Sequence, residues 1–318
     1  AKTIVYPKAS ISYLMSESGF FPKGSFLNSF RVRASYGHAG QQPAGSVALE
    51  SYNATSAAVN GAVQPAVTIN NLGDPTLKPE RTVEYDAGFD ANFFNSRIAL
   101  EVTGYHKNTR DALILVPTPT SAGNPAGQFR NLGNVRNEGI EYLINAQVLT
   151  GKKLNWDLTL SGSFQRNELL DLGGQPPINA NGTDQQHREG FPLGGYWGRP
   201  YTYTDTNGDG IIAPGEITTG DSLEYMGPSQ PTQELAISTQ LGLFKGRVQI
   251  SSQLDYRGGA LLYNLTEAFR CQARSNCQSF YDLNSPLADK AAGVAFSQLG
   301  ARNTNFGYKE DADYLKWR

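Results

Sequence analysis

The sequence predicts an all-β protein, an antiparallel transmembrane β-barrel segment with short turns on one side and long extracellular loops on the other. Three observations carry this reading. Apolar and polar residues alternate with period two along strand-length runs. Short and long connections fall at opposite ends of those runs, and the composition is polar overall yet poor in charge.

Composition narrows the class first. Of 318 residues only 18% are charged, Gly (34), Tyr (16) and Phe (15) are abundant, and Met and Cys occur twice each. Mean hydropathy is nevertheless −0.41. A helical span needs about 20 mostly apolar residues, and the sequence has no such run. A barrel strand needs an apolar residue only at every second position. The net charge of −2 is made of scattered basic and acidic residues, which argues against nucleic acid as a partner because its binders carry a clustered basic footprint. The opening AKTIVYPKAS has no apolar core ahead of a cleavage site, and DADYLKWR reads as the start of a strand. The expectation is that residues 1–318 are part of one barrel domain, cut at both ends.

The strands follow in order. A weak one covers Ala9 to Leu14. Phe30, Val32, Ala34 and Tyr36 then alternate with Arg31, Arg33 and Ser35. Tyr85, Ala87, Phe89, Ala91 and Phe93 alternate with Glu84, Asp86, Gly88, Asp90 and Asn92. After a turn at Asn95-Ser96 the pattern resumes with Ile98, Leu100 and Val102. Ile140, Tyr142, Ile144, Ala146 and Val148 share a face, Thr150 to Lys153 turns the chain, and Leu154, Trp156, Leu158, Leu160 and Phe164 return it. A third hairpin joins Leu235, Ile237, Leu241 and Leu243 to Val248, Ile250, Leu254 and Tyr256 through Phe244-Lys245-Gly246. About eight strands are clear and a ninth begins at the end. The other strand ends open into Gln41 to Asp74, Pro117 to Asn131, Leu170 to Pro231 and Gly259 to Asp311, lengths uncommon in compact domains. Aromatics near strand ends (Phe93, Phe94, Phe164, Phe244, Tyr256) suit interfacial girdles.

The run NLGDPTLKPERTVEYDAGFD resembles a barrel segment of TonB-dependent outer-membrane receptors, and GNVRNEGIEY resembles a second. SFRVRASYGHAGQQ, DTNGDGIIAPGE followed by GDSLEYMGPSQPT, and ADYLKWR together resemble the SusC/RagA branch. The resemblance spans about Ile4 to Arg318. It implies a barrel of about 22 strands with an N-terminal plug, of which this chain holds eight or nine strands and no plug. It also implies a place in the bacterial outer membrane, in contact with its lipid. The implied function is TonB-energised import of oligosaccharides or peptides with a SusD-like surface lipoprotein, TonB being met by a region outside this chain. Two alternatives stand beside this: a siderophore or metal-chelate receptor of the same architecture, and a secreted calcium-binding β-rich adhesin or glycan-binding module whose apolar faces would pack on each other.

Asp205 to Glu216 fits the twelve-residue calcium loop D-x-[DN]-x-[DN]-G-x5-E. Asp205, Asn207 and Asp209 supply oxygens at positions one, three and five, the Ile211 carbonyl serves at seven, and Glu216 closes at twelve. Pro214 and Gly215 oppose a following helix, so the alternative to a Ca2+ site is a tight turn holding no metal. Cys271 and Cys277, six apart in a polar segment, suit a local disulfide or two free thiols.

No catalytic constellation emerges, and an enzyme is not expected. Glu84, Asp86, Asp90, Glu101, Glu141 and Asp157 read as the wall of a hydrated lumen. His38, His106 and His187 form no ligand or triad pattern, and AQVLTGKK lacks the first Gly of a phosphate loop. Loop aromatics (Tyr52, Tyr196, Trp197, Tyr201, Tyr203, Tyr225) suit loop packing, sugar stacking or a protein partner.

Overall fold

The computed structural model describes residues 5–21, 26–119, 121, 127–180, 184–273, 276–298 and 309–318. Its backbone is one nine-stranded antiparallel sheet whose spatial order follows the chain. The strands are β1 Lys8–Leu14, β2 Leu27–Ala39, β3 Arg81–Phe93, β4 Ile98–Arg110, β5 Asn134–Thr150, β6 Leu154–Asp171, β7 Gln233–Leu243, β8 Val248–Gly258 and β9 Tyr314–Trp317. The sheet is not closed on itself among the described residues.

Cross-strand register shows why the alternation matters. Val32 pairs with Phe89, Phe89 with Val102, Val102 with Tyr142, Tyr142 with Gly162, Gly162 with Leu235, and Leu235 with Tyr256. One apolar row therefore crosses the sheet, and the row through Phe30, Ala91, Leu100, Ile144, Leu160, Ile237 and Leu254 lies beside it. From Tyr85 to Phe93 the band covers about 27 Å of strand, roughly 20 Å of height at a tilt of about 40°. That approaches the apolar band of an outer-membrane barrel, about 25 Å. Beyond Tyr85 the same face turns ionic: His106 meets Glu138 at 3.4 Å, and Arg136 and Arg166 meet Glu168 at 2.6 and 3.1 Å.

Among the described residues nothing packs on this band. Val32, Tyr85, Ile140, Phe164 and Ile250 are exposed on it. The buried apolar clusters sit in the long connections and at the strand tops instead. One joins Ala112, Ile114, Val116 and Ile178 to Val135 and Leu169, a second joins Ile212 and Ile217 to Ala291, Val294 and Ala295, and a third surrounds Cys271 and Cys277. A two-sheet sandwich would show the reverse, with facing strands supplying the core.

Three turns on one side are tight. Phe94, Asn95 and Ser96 all take left-handed backbone, as do Phe244, Lys245 and Gly246, and aromatics gather at the first: Phe26 lies 6.0 Å from both Phe93 and Phe94. The second hairpin departs from strict alternation. Trp156 pairs with Leu149 but Asp157 with Gln147, a β-bulge that takes Val148 out of register and gives its expected place on the apolar face to Leu149.

The opposite side carries structured loops, parts of which lie outside the described residues. A hairpin of Ser51–Val59 and Ala62–Asn71 rises from the first, and the third folds a small sheet of Ile178–Asn179, Gln185–His187, Gly195–Gly198 and Glu224–Gly227. The fourth contains a helix, Leu287–Gln298. It is tied to the third: Lys290 Nζ donates to the Gly210 carbonyl at 2.8 Å, and buried Lys309 reaches Asp184 at 3.5 Å.

Candidate functional site

The face opposite the apolar band is a polar wall. Its side chains come from the intervening positions of the same strands, so the alternation that exposes Phe89 to one side sends Asp90 to the other. Asp90 accepts from Arg31 Nε at 2.6 Å and from Arg33 Nε at 3.2 Å, while Arg33 Nη2 donates to Thr103 at 2.5 Å. Ser35 donates to Asp86 at 2.6 Å. Farther round, Gln253 donates to Asp255 at 2.6 Å and Arg257 faces Glu234 at 3.6 Å. Glu101, Glu141, Ser161 and Asp255 line a concave groove of about 590 Å3. Asp157 occupies the same face lower down, paired in register with Gln147 and Gln240. Carboxylates here meet guanidinium, amide and hydroxyl groups, the arrangement of a hydrated surface.

The histidines stay apart. His38 bonds the Tyr36 hydroxyl, His106 faces Glu138 on the outer side, and His187 lies in the third loop, its Nδ1 accepting from Gly194 N–H at 3.1 Å. Burial pushes the His187 pKa below the ordinary imidazole value, so at neutral pH its proton sits on Nε2.

The Asp205–Glu216 loop is wound by its own side chains. Asp205 accepts from Gly208 and Gly210 N–H (2.8 and 3.0 Å), Asn207 from Asp209 N–H (3.1 Å), and Asp209 from Ile211 N–H (2.8 Å). Glu216 accepts from Thr206 and Ala213 N–H, each at 2.9 Å, and these bonds hold its pKa below the usual carboxylate value. Gly208 and Gly210 are left-handed, which a side chain would resist. Pro214–Glu216 forms one 3-10 turn and then a strand, Ile217–Thr219, so no helix follows the loop. The hard-oxygen donor set suits a calcium ion. Among the described residues the acidic and thiol side chains that converge are Glu267, Cys271 and Cys277, within 4.8 Å. There the two sulfurs are bonded to each other, with Cα atoms 4.8 Å apart, and are not metal-ligating thiolates.

Of the loop aromatics, Tyr196 and Trp197 are buried. Phe191 lies 4.7 Å from Trp197 and 4.9 Å from Tyr225, and the Arg188 guanidinium stacks 3.8 Å over Trp197. Tyr201 packs on the second apolar cluster, whereas Tyr52 and Tyr203 remain exposed.

One feature escaped the sequence. At the extracellular mouth, Lys107, Asn137 and Asn167 from the polar faces of β4, β5 and β6 meet Asn179, Gln185 and His187 from the third loop around a cavity of about 810 Å3. The only sequence trace is the alternation that puts the first three on the polar face.

The β-barrel model of TonB-dependent receptor-like proteins matches residues 2–233. The chain belongs to that family. This receptor chain is 25% identical over 98% of its length to the TonB-dependent receptor SusC of Bacteroides thetaiotaomicron, covering 32% of that protein. It is 31% identical over 53% of its length to the TonB-dependent receptor P26 of Formosa agariphila, covering 17% of it. Its fold matches the RagAB peptide transporter with a TM-score of 0.76 at 18% identity, over 98% of this chain and 36% of the other. The chain thus spans about a third or less of these relatives. It is a SusC/RagA-type receptor barrel of the outer membrane, and the relatives are named as receptors and transporters, not as enzymes.

Proposed function

We propose that this chain forms part of the wall and extracellular mouth of an importer that carries oligosaccharides or peptides across the outer membrane. TonB drives it through a region outside these residues, and a SusD-like lipoprotein caps it. The observation that carries this is the division of one sheet into an uncovered apolar face and an ion-paired polar face. Such a sheet separates lipid from water. A soluble adhesin would need its apolar face covered, and nothing among the described residues covers it. The test is fractionation of the full-length protein from its native cells, with detergent extraction and a pull-down. Recovery from the outer membrane with a tightly bound lipoprotein is the expected result. A soluble product that binds glycan without detergent would overturn the reading.

A calcium ion held by Asp205, Asn207, Asp209, Glu216 and the Ile211 carbonyl belongs to the same proposal, supported by donor type and spacing. Its role would be to stiffen the third loop, which meets the Leu287–Gln298 helix of the fourth through Ile212 and Ile217.

A further inference from the structure

Above the apolar band the outward face carries charge, and its pairing is uneven. Glu138 and Glu168 answer His106, Arg136 and Arg166. Arg81 and Arg110 have no such partner. They stand directly opposite each other in the β3–β4 ladder, on the face that carries Val83 and Tyr85, and both are exposed. Neither guanidinium has a hydrogen bond or ion pair among the described residues, and the other residues of the chain contain no Asp or Glu. The acids beside them in sequence or row are engaged elsewhere. Glu80 accepts from Leu113 N–H at 2.8 Å and lines the mouth cavity, and Asp111 lines a groove with Lys78 and Arg130. Asp171, beyond Asn134 in the same row, accepts from Gly173 N–H at 2.8 Å.

Like charges directly opposite one another destabilise a sheet. An anion seated between them would replace that repulsion with charge-assisted hydrogen bonds, and the guanidinium fork matches phosphate best. The height of the pair says where such an anion comes from. On β3 the outward column from Phe93 up to Val83 is apolar without a break, and Arg81 is the next position beyond it. Two residues of strand cover about 7 Å, roughly 5 Å of height at a tilt of about 40°. The headgroup layer outside the hydrocarbon is about 5–7 Å thick on each side. Tyr36 and Tyr85, with ring centroids 5.1 Å apart, form the row just below Val83, where interfacial aromatics belong. The arginines therefore stand at headgroup level and face the lipid, away from the mouth and the lumen.

We propose that Arg81 and Arg110 clamp the phosphate of a glycolipid in the outer leaflet, seating its chains against the apolar columns of β3 and β4. The site lies on the outside of the wall and does not depend on the cargo carried within it.

The test is titration of the detergent-purified full-length receptor with three probes: bisphosphorylated lipid A in mixed micelles, the same lipid with its phosphates removed, and inorganic phosphate. The phosphorylated lipid should bind tightest. Arg81→Gln with Arg110→Gln should weaken it at least about tenfold, the scale of one charge-assisted hydrogen bond, and leave the dephosphorylated lipid unaffected. Lys152→Gln with Lys153→Gln, which removes the same charge at the tight turn on the opposite side, should change neither. Heat-modifiable gel mobility would confirm that each variant is folded. Equal affinity for the dephosphorylated lipid, or an unchanged affinity in the folded arginine variant, would overturn the proposal. Inorganic phosphate binding as tightly as the lipid would also overturn it, by showing a site for a soluble anion. If the receptor still copurifies with its lipoprotein in those cases, the clamp alone falls and the import reading stands.

Discussion

Phe89 and Asp90 are adjacent in β3, yet the first faces the membrane band and the second the ion-paired wall. Their substitutions should therefore differ in kind. Phe89→Arg should cost about 2–4 kcal/mol at the bilayer midplane. Asp90→Asn weakens pairs to a well-exposed Arg31, at 51%, and a half-buried Arg33, and should cost under about 1 kcal/mol. Urea unfolding of the full-length receptor in liposomes would measure both, and equal costs would contradict the assignment of faces. Gly162 offers a second test at this scale. A Cβ there would sit 2.5 Å from the Tyr142 hydroxyl oxygen, because the ring lies across the glycine. Gly162→Val should destabilise by about 1–3 kcal/mol, and Tyr142→Ala should relieve part of that in the double variant.

The Asp205–Glu216 loop is the element whose behaviour should follow pH and calcium most directly. The Glu216 pKa is lowered by hydrogen bonds from Ala213 and Thr206. Its contribution is therefore complete above the ordinary glutamate value, about 4.3, and is lost as pH falls through the lower folded value. Hydrogen exchange at the Thr206 and Ala213 amides should accelerate over that acidic range and stay flat between pH 6 and 8. Calcium should slow proteolysis of the same loop and a chelator should reverse it; an indifferent loop would end the calcium proposal. The sequence made this loop legible because its chemistry is local, as it made β3 and β4 legible because side chains from Tyr85 to Phe93 keep a strict period of two. It failed where the period breaks or carries no contrast. The bulge at Val148 shifts a face without changing composition. The Ser51–Asn71 hairpin is mostly exposed: its first strand has small and polar residues on both faces, and the alternation of Val63, Val67 and Ile69 in its second is interrupted by Pro65, so only a weak apolar period marks it. Its turn, Asn60-Gly61, was a hairpin signal in plain view, and both residues are left-handed as such a turn requires. The mouth cavity had no comparable sign, because Lys107, Asn137 and Asn179 meet only through the register of three strands and a returning loop.

At the scale of the molecule, the sheet and its loops obey opposite rules. Across the apolar band the strand side chains point outward and nothing among the described residues covers them, while in the loops apolar side chains turn inward to the clusters around Leu172, Ile212 and Cys271, the first of which also takes in Val135 and Leu169 at the strand tops. Lys290 and Lys309 bind the third and fourth loops into one unit. Alanine at either lysine should raise the protease sensitivity of both loops together and leave heat-modifiable mobility of the barrel unchanged. Sensitivity confined to the mutated loop would show that they act separately. The inverted placement of apolar groups means that this chain answers to two solvents. Water drives the loops together, and denaturant should loosen them first. The strands depend on hydrocarbon or detergent along their outer face, so exchanging a long-chain detergent for a short one should weaken the wall while leaving the loops folded. A single melting temperature would therefore describe neither part.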